Sequence, residues 1–265
     1  MKIEDSNMTC GFSFESWKLL RDTLKDVRFD DNIMAVAEGV NQCPSRLASR
    51  ESLVPKLFVR TFTNVLSDYN KNNRDENAIR NTFEEGNKKI KLLNERYMPN
   101  KDYQLGDLAG CVATGTSINE EVVSFGYLAS TGVAIFDVRG KLKFRIEENN
   151  SIQNNPSKEN HPLVLTGEET AMNYVRTGTQ ELRDGETLII YTNGLEPIVF
   201  SEEFAYLLRK GDVLTMKKLC RKKVRTEGSL VYHCQDKGFG YYRKIEIGTL
   251  REEIERNKEN ILKKV

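Results

Sequence analysis

Three times this chain builds the same exit: a short apolar run, one small polar or acidic residue, then glycine. It reads Ile33-Met34-Ala35-Val36-Ala37-Glu38-Gly39, then Tyr127-Leu128-Ala129-Ser130-Thr131-Gly132, then Leu188-Ile189-Ile190-Tyr191-Thr192-Asn193-Gly194. Short runs rich in Val, Ile and aromatic residues and closed by glycine predict buried strands ending in tight turns. A buried strand fixes its last side chain, and glycine lets something approach closely. Such exits constrain the chain to a layered sheet protein able to present polar groups to one shared site. Without that site, the same runs are three ordinary strand ends with hydrophilic turns.

The rest of the chain alternates helical and strand periodicities. Residues 47–68 repeat Leu47, Leu53, Val54, Leu57, Phe58, Phe62, Val65 and Leu66 at three and four, which predicts a core-facing helix with a bend near Pro55. A second helix is predicted from Glu76 to Tyr97, with Pro99 just past its end. Residues 108–146 alternate apolar and polar in four short runs, a meander of hairpins. The polar, asparagine-rich stretch 148–160 reads as a long loop. Helices follow from Ser201 to Arg209 and from Asp212 to Lys223, with Ser201 and Asp212 as N-caps. Strands near 228–234 and 241–247 precede a final helix over about 250–264.

At 265 residues the chain can bury a full core as one domain, 1–265. Its 40 Lys+Arg against 39 Asp+Glu give no sign of a nucleic-acid or membrane partner. The five cysteines, Cys10, Cys43, Cys111, Cys220 and Cys234, are odd in number and lack Cys-x-x-Cys spacing, which argues against a disulfide framework or a zinc site. His161 and His233 lie far apart and read as incidental surface or core residues. No apolar leader and no membrane-length apolar run is present, so the cytoplasm is the expected compartment.

The three exits resemble, in order and surroundings, the central motifs of the type 2C (metal-dependent, PPM) serine/threonine protein phosphatases, whose usual forms are Ala-Asp-Gly, Gly-Asp-Ser and Ser-Asp-Gly. Ala35-Val36-Ala37-Glu38-Gly39-Val40, then Ser45-Arg46-Leu47-Ala48, is similar to the family's strand, turn and first-helix entry. Gly132-Val133-Ala134-Ile135-Phe136-Asp137 with Gly140-Lys141-Leu142 resembles its hairpin. Asp184-Gly185-Glu186-Thr187-Leu188-Ile189-Ile190-Tyr191-Thr192-Asn193-Gly194 is the closest match to its third strand. The resemblance covers roughly residues 30–235 and implies an α+β, four-layer αββα sandwich.

At each motif the family's aspartate is replaced: Glu38 stands at the first, Ser130 at the second and Asn193 at the third. The family's later Asp-Asn pair would fall at Thr226-Glu227, ahead of Ser229-Leu230-Val231. Its N-terminal acid has Asp5 as the nearest candidate, where a frayed polar terminus is the simpler reading. Magnesium and manganese are hard cations that need several carboxylates to hold them and offset their charge. The metals would turn a bridging water into the nucleophile for in-line attack on phosphorus. Glu38 keeps the charge with one extra methylene, Gly39 keeps its carbonyl, Asn193 keeps one neutral oxygen, and Ser130 is short and neutral. Even changes outside a metal's ligand set cost about 10- to 100-fold in affinity or activity.

Two readings follow. In the first, the chain is a pseudophosphatase without a stable metal pair that binds a protein or phosphoprotein partner. In the second, it is a divergent manganese- or magnesium-dependent phosphatase using Glu38, the Gly39 carbonyl, Glu227 and Asp5 around one ion. Arg46 follows the first motif, where it would hold an anion in the cleft or lie on a helix surface. Lys217, Lys218, Arg221, Lys222, Lys223 and Arg225 crowd one short helix and its exit, either as a docking patch for an acidic partner or as cations suited to a helix C-terminus. The stretch Gly238-Phe239-Gly240 lacks the lysine and helix of a phosphate-binding loop and reads as a hairpin turn.

Overall fold

In a computed structural model of the chain, residues 8–14, 25–30, 32–40, 53–97, 108–129, 131–146, 164–223 and 228–234 are described. Ten strands run in chain order: β1 Met8–Phe14, β2 Lys25–Asp30, β3 Ile33–Val40, β4 Gly110–Asn119, β5 Val122–Leu128, β6 Thr131–Phe136, β7 Leu142–Arg145, β8 Arg176–Glu181, β9 Thr187–Thr192 and β10 Gly228–Cys234. They form two five-stranded antiparallel sheets, ordered β1-β10-β9-β6-β7 and β2-β3-β4-β5-β8. Five α-helices are described, α1 Leu53–Asp68, α2 Glu76–Tyr97, α3 Glu196–Val199, α4 Glu202–Lys210 and α5 Val213–Lys223, with short 3-10 turns at Lys71–Asn73, Glu169–Asn173 and Asn193–Leu195.

Side-chain alternation along the strands sorts the core into three apolar layers. Ile33, Ala35 and Ala37 of β3 face α1 and α2, packing with Phe58, Phe62, Ile79 and Phe83. Met34 and Val36 face the other way, toward Val133, Ile135, Leu188, Ile190 and Val231 of the opposite sheet. Ile189, Tyr191, Leu230 and Tyr232 turn outward again, beneath Phe204, Met216, Leu219 and Cys220 of α4 and α5. Helix, sheet, sheet, helix is the four-layer αββα order that the resemblance implied.

Helix α2 spans Glu76–Tyr97 as its apolar stripe predicts, and Asp75 accepts the Ala78 N–H at 2.9 Å as its cap. Pro55 falls in the first described turn of α1, where it is buried. Ser201 and Asp212 act as the expected caps, accepting from the N–H groups of Phe204 at 3.3 Å and Thr215 at 3.0 Å. The meander appears as β4 to β7. Three strands, β1, β2 and β8, had no clear sequence signal. The expected strand at 241–247, the helix at 250–264, the loop at 148–160 and the turn at Gly238 lie outside the described residues.

Candidate functional site

The two sheets bring the exits of β3 and β9 and the entries of β4, β6 and β10 to one end of the sandwich. Glu38 shares the face of Met34 and Val36, so its side chain turns into the space between the sheets, where its Oε2 is buried. Its register neighbours are Lys25 on β2 and Val112 on β4. Gly39 follows, buried, opposite Cys111.

Below Glu38 the inter-sheet layer changes from aliphatic to hydroxyl-bearing. Thr114, opposite Val36, is fully buried and donates to Thr131 Oγ1 at 2.6 Å, tying β4 of one sheet to β6 of the other. Thr131 in turn donates to the Leu128 carbonyl at 3.3 Å. On the same end Thr192 is buried and accepts the Ser229 N–H at 3.0 Å, joining the β9 exit to the β10 entry. These hydroxyls close a polar floor that motif reading had not singled out.

The second exit keeps a demanding turn without glycine. Ala129 adopts φ +54°, a left-handed conformation that alanine enters reluctantly, and its carbonyl accepts the Thr131 N–H at 2.8 Å. Gly132 is needed for close approach, since a Cβ there would stand 2.4 Å from the Tyr191 ring. At the third exit Thr192 points inward, while Asn193 begins a short 3-10 turn and is exposed at the mouth. Leu195 of that turn packs on Gly228 at the start of β10.

Glu38, Gly39 and Asn193 are thus gathered at one end. Ser130, Arg46, Thr226, Glu227 and Asp5 lie outside the described residues. The orientation of β1 is informative: Met8 pairs with Cys234 at the far end and Phe14 with Gly228, so the exit of β1 lies at the Glu38 end. The described motif positions offer one carboxylate, one carbonyl and one neutral amide, which does not fit a pair of dications. Among the described residues no three His, Cys, Asp or Glu side chains come together as a metal-binding group. Elsewhere, His233 is wholly buried on the inter-sheet face of β10. Among the described residues Cys111, Cys220 and Cys234 form no disulfide.

By sequence the chain matches no protein-family model and no curated protein. By structure it is similar to the serine/threonine phosphatase PstP of Mycobacterium tuberculosis, with a TM-score of 0.67 at 13% identity over 87% of this chain and 99% of that one. A serine/threonine phosphatase of S. agalactiae gives 0.62 at 11% identity over 87% and 100%, and PppA of Pseudomonas aeruginosa gives 0.61 at 11% over 87% and 98%. The PstP catalytic domain is also known in complex with two manganese ions. This chain therefore has the type 2C serine/threonine phosphatase fold. No described helix is long and apolar enough to cross a membrane.

Proposed function

We propose that this protein is a pseudophosphatase: a type 2C phosphatase sandwich with an impaired metal centre, working by holding a protein or phosphoprotein partner without hydrolysing it. The carrying observation is the donor set at the described exits, where Glu38 is the one carboxylate and Asn193 is a neutral, exposed amide. Two dications left with so little negative charge would keep their water shells rather than enter the site. The cytoplasm is the proposed compartment.

The inward aim of Glu38 supports a second reading, a weakly active enzyme holding one manganese or magnesium ion through Glu38, the Gly39 carbonyl and Glu227. Calorimetric titration of manganese and magnesium, with p-nitrophenyl phosphate turnover followed in the same preparation, separates the two. The proposal expects neither binding nor turnover from a folded sample. Tight binding with metal-dependent turnover would overturn it in favour of the enzyme.

A further inference from the structure

We propose that Tyr127 and Arg176 form an oxyanion subsite that holds the phosphoryl group of a phosphoserine on a partner protein. The inference rests on the reading that this sandwich binds a phosphoprotein, and it names the residues that grip the phosphate.

Strand register sets the two residues side by side. Tyr127 of β5 lies directly opposite Arg176 of β8, and opposite residues of an antiparallel pair project from the same face. That face is the inter-sheet one, since Tyr127 packs against the layer that holds Val123, Phe125 and Val133. On its other side Tyr127 is opposite Thr114, which bonds Thr131 beside the second exit. The pair therefore stands at the Glu38 end of the sandwich. The Tyr127 ring is half-buried and packs with the Phe125 ring at 6.5 Å, while Arg176 is exposed.

Both groups keep their donors open. Other cations on or beside the edge strands have acids of their own: Lys143 pairs with Glu186 at 2.8 Å, Arg183 with Glu181 at 2.8 Å, and Arg145 with Glu196. Among the described residues no carboxylate pairs with Arg176 and no hydrogen bond occupies the Tyr127 hydroxyl. Burial raises the Tyr127 hydroxyl above its ordinary value and the Arg176 charge draws it back, so the phenol stays a protonated donor at neutral pH.

A guanidinium beside a phenol selects a phosphoryl group. The planar fork takes two oxygens side by side, which uses up a carboxylate, whereas a phosphate monoester keeps a third oxygen for the phenol O–H. Position favours an anion here too. Along the order β3-β4-β5-β8, Tyr127 and Arg176 lie two and three strands from Glu38, about 10 and 14 Å at the usual strand spacing. On the pseudophosphatase reading, an anion at the Glu38 exit meets that carboxylate with no cation between them, and the repulsion falls with distance.

The test is fluorescence anisotropy of a fluorescein-labelled glycine-serine peptide carrying one phosphoserine, titrated with the full chain in EDTA. Binding is expected, weakened about tenfold or more by R176Q and about threefold by Y127F. R176K recovers part of the loss, because an ammonium keeps the charge without the fork. The control K56Q, which removes one exposed cation from α1, keeps near-wild-type binding. No binding to the wild type, equal loss in the control, undiminished binding by R176Q, or equal binding of the same peptide with serine or glutamate in place of phosphoserine overturns the proposal. Circular dichroism confirms that each variant is folded. Manganese-dependent release of phosphate from a peptide that still needs Arg176 would refute the pseudophosphatase and leave the subsite standing, whereas absence of both binding and turnover would do the reverse.

Discussion

Replacing Thr114 with valine removes the hydroxyl that ties the two sheets together beneath Glu38. Thr131 Oγ1 then loses a donor but keeps its own bond to the Leu128 carbonyl. The expected cost is about 1 kcal/mol, that of one ordinary buried hydrogen bond. Thr131→Val is worse, because it leaves the fully buried Thr114 hydroxyl without its acceptor, and about 2 kcal/mol is expected. In the double variant both polar partners are gone and two methyls meet instead, so the total returns to about 1 kcal/mol. The cycle therefore has a coupling of about 2 kcal/mol.

Urea denaturation followed by far-UV circular dichroism reads all four corners, with an unchanged slope required in each. Additive single costs, or a greater loss from Thr114→Val than from Thr131→Val, would refute the assignment of Thr114 as donor and of this pair as the inter-sheet pin. The pin matters for function because Thr131 follows Ser130 directly. It holds the turn on which the family-like site would be rebuilt.

Reverting the exits, with E38D, S130D and N193D combined, should restore manganese binding if the frame is intact. Manganese at a hundredfold excess over its dissociation constant would then stabilise the variant by about 2.7 kcal/mol in a thermal melt, and no gain would count against the motif alignment. Asn94 bonds the Ala109 carbonyl at 2.9 Å, the Thr166 carbonyl at 2.8 Å and the Ala109 N–H at 3.2 Å from a buried position. Asn94→Ala should cost about 3 kcal/mol in the same urea assay, and a loss near zero would contradict those bonds. Burial pushes the Cys220 thiol up to about 12 and the Cys111 thiol higher still. Both should resist iodoacetamide until the chain unfolds, as pulsed labelling with mass spectrometry would show.

What could be read in advance was local. The α2 stripe, the Ser201 and Asp212 caps and the β4–β7 meander depend on neighbours a few residues away. β8 escaped because Arg176-Thr177-Gly178-Thr179-Gln180-Glu181 is a polar edge strand with no apolar run. β2 shows only Val27 and Phe29 between charges. At the site, Glu38 and Asn193 were marked by their glycines, but the hydroxyl floor was not. Thr114, Thr131, Thr192 and Ser229 meet through pairings across distant segments, and nothing in their immediate sequence sets them apart. Parity along β9 also moves the inward position from Asn193 to Thr192.

On the proposed reading, the placement of the exits lets such a fold stand without a metal centre. The sandwich is held by three apolar layers and by hydroxyl bonds such as Thr114 to Thr131 and Ser229 to Thr192, and none of these uses an acid at a motif position. Clustered aspartates serve such a frame only while cations sit among them; without metal they repel one another at the mouth. A chain selected for binding alone gains from neutral exits. Asn193, exposed and uncharged beside Gly194, fits that reading. Glu38 differs from Asn193, since its carboxylate lies between the sheets above the hydroxyl floor. On the proposed reading, exchanging Glu38 for glutamine should change stability in the urea assay while manganese-dependent turnover stays absent.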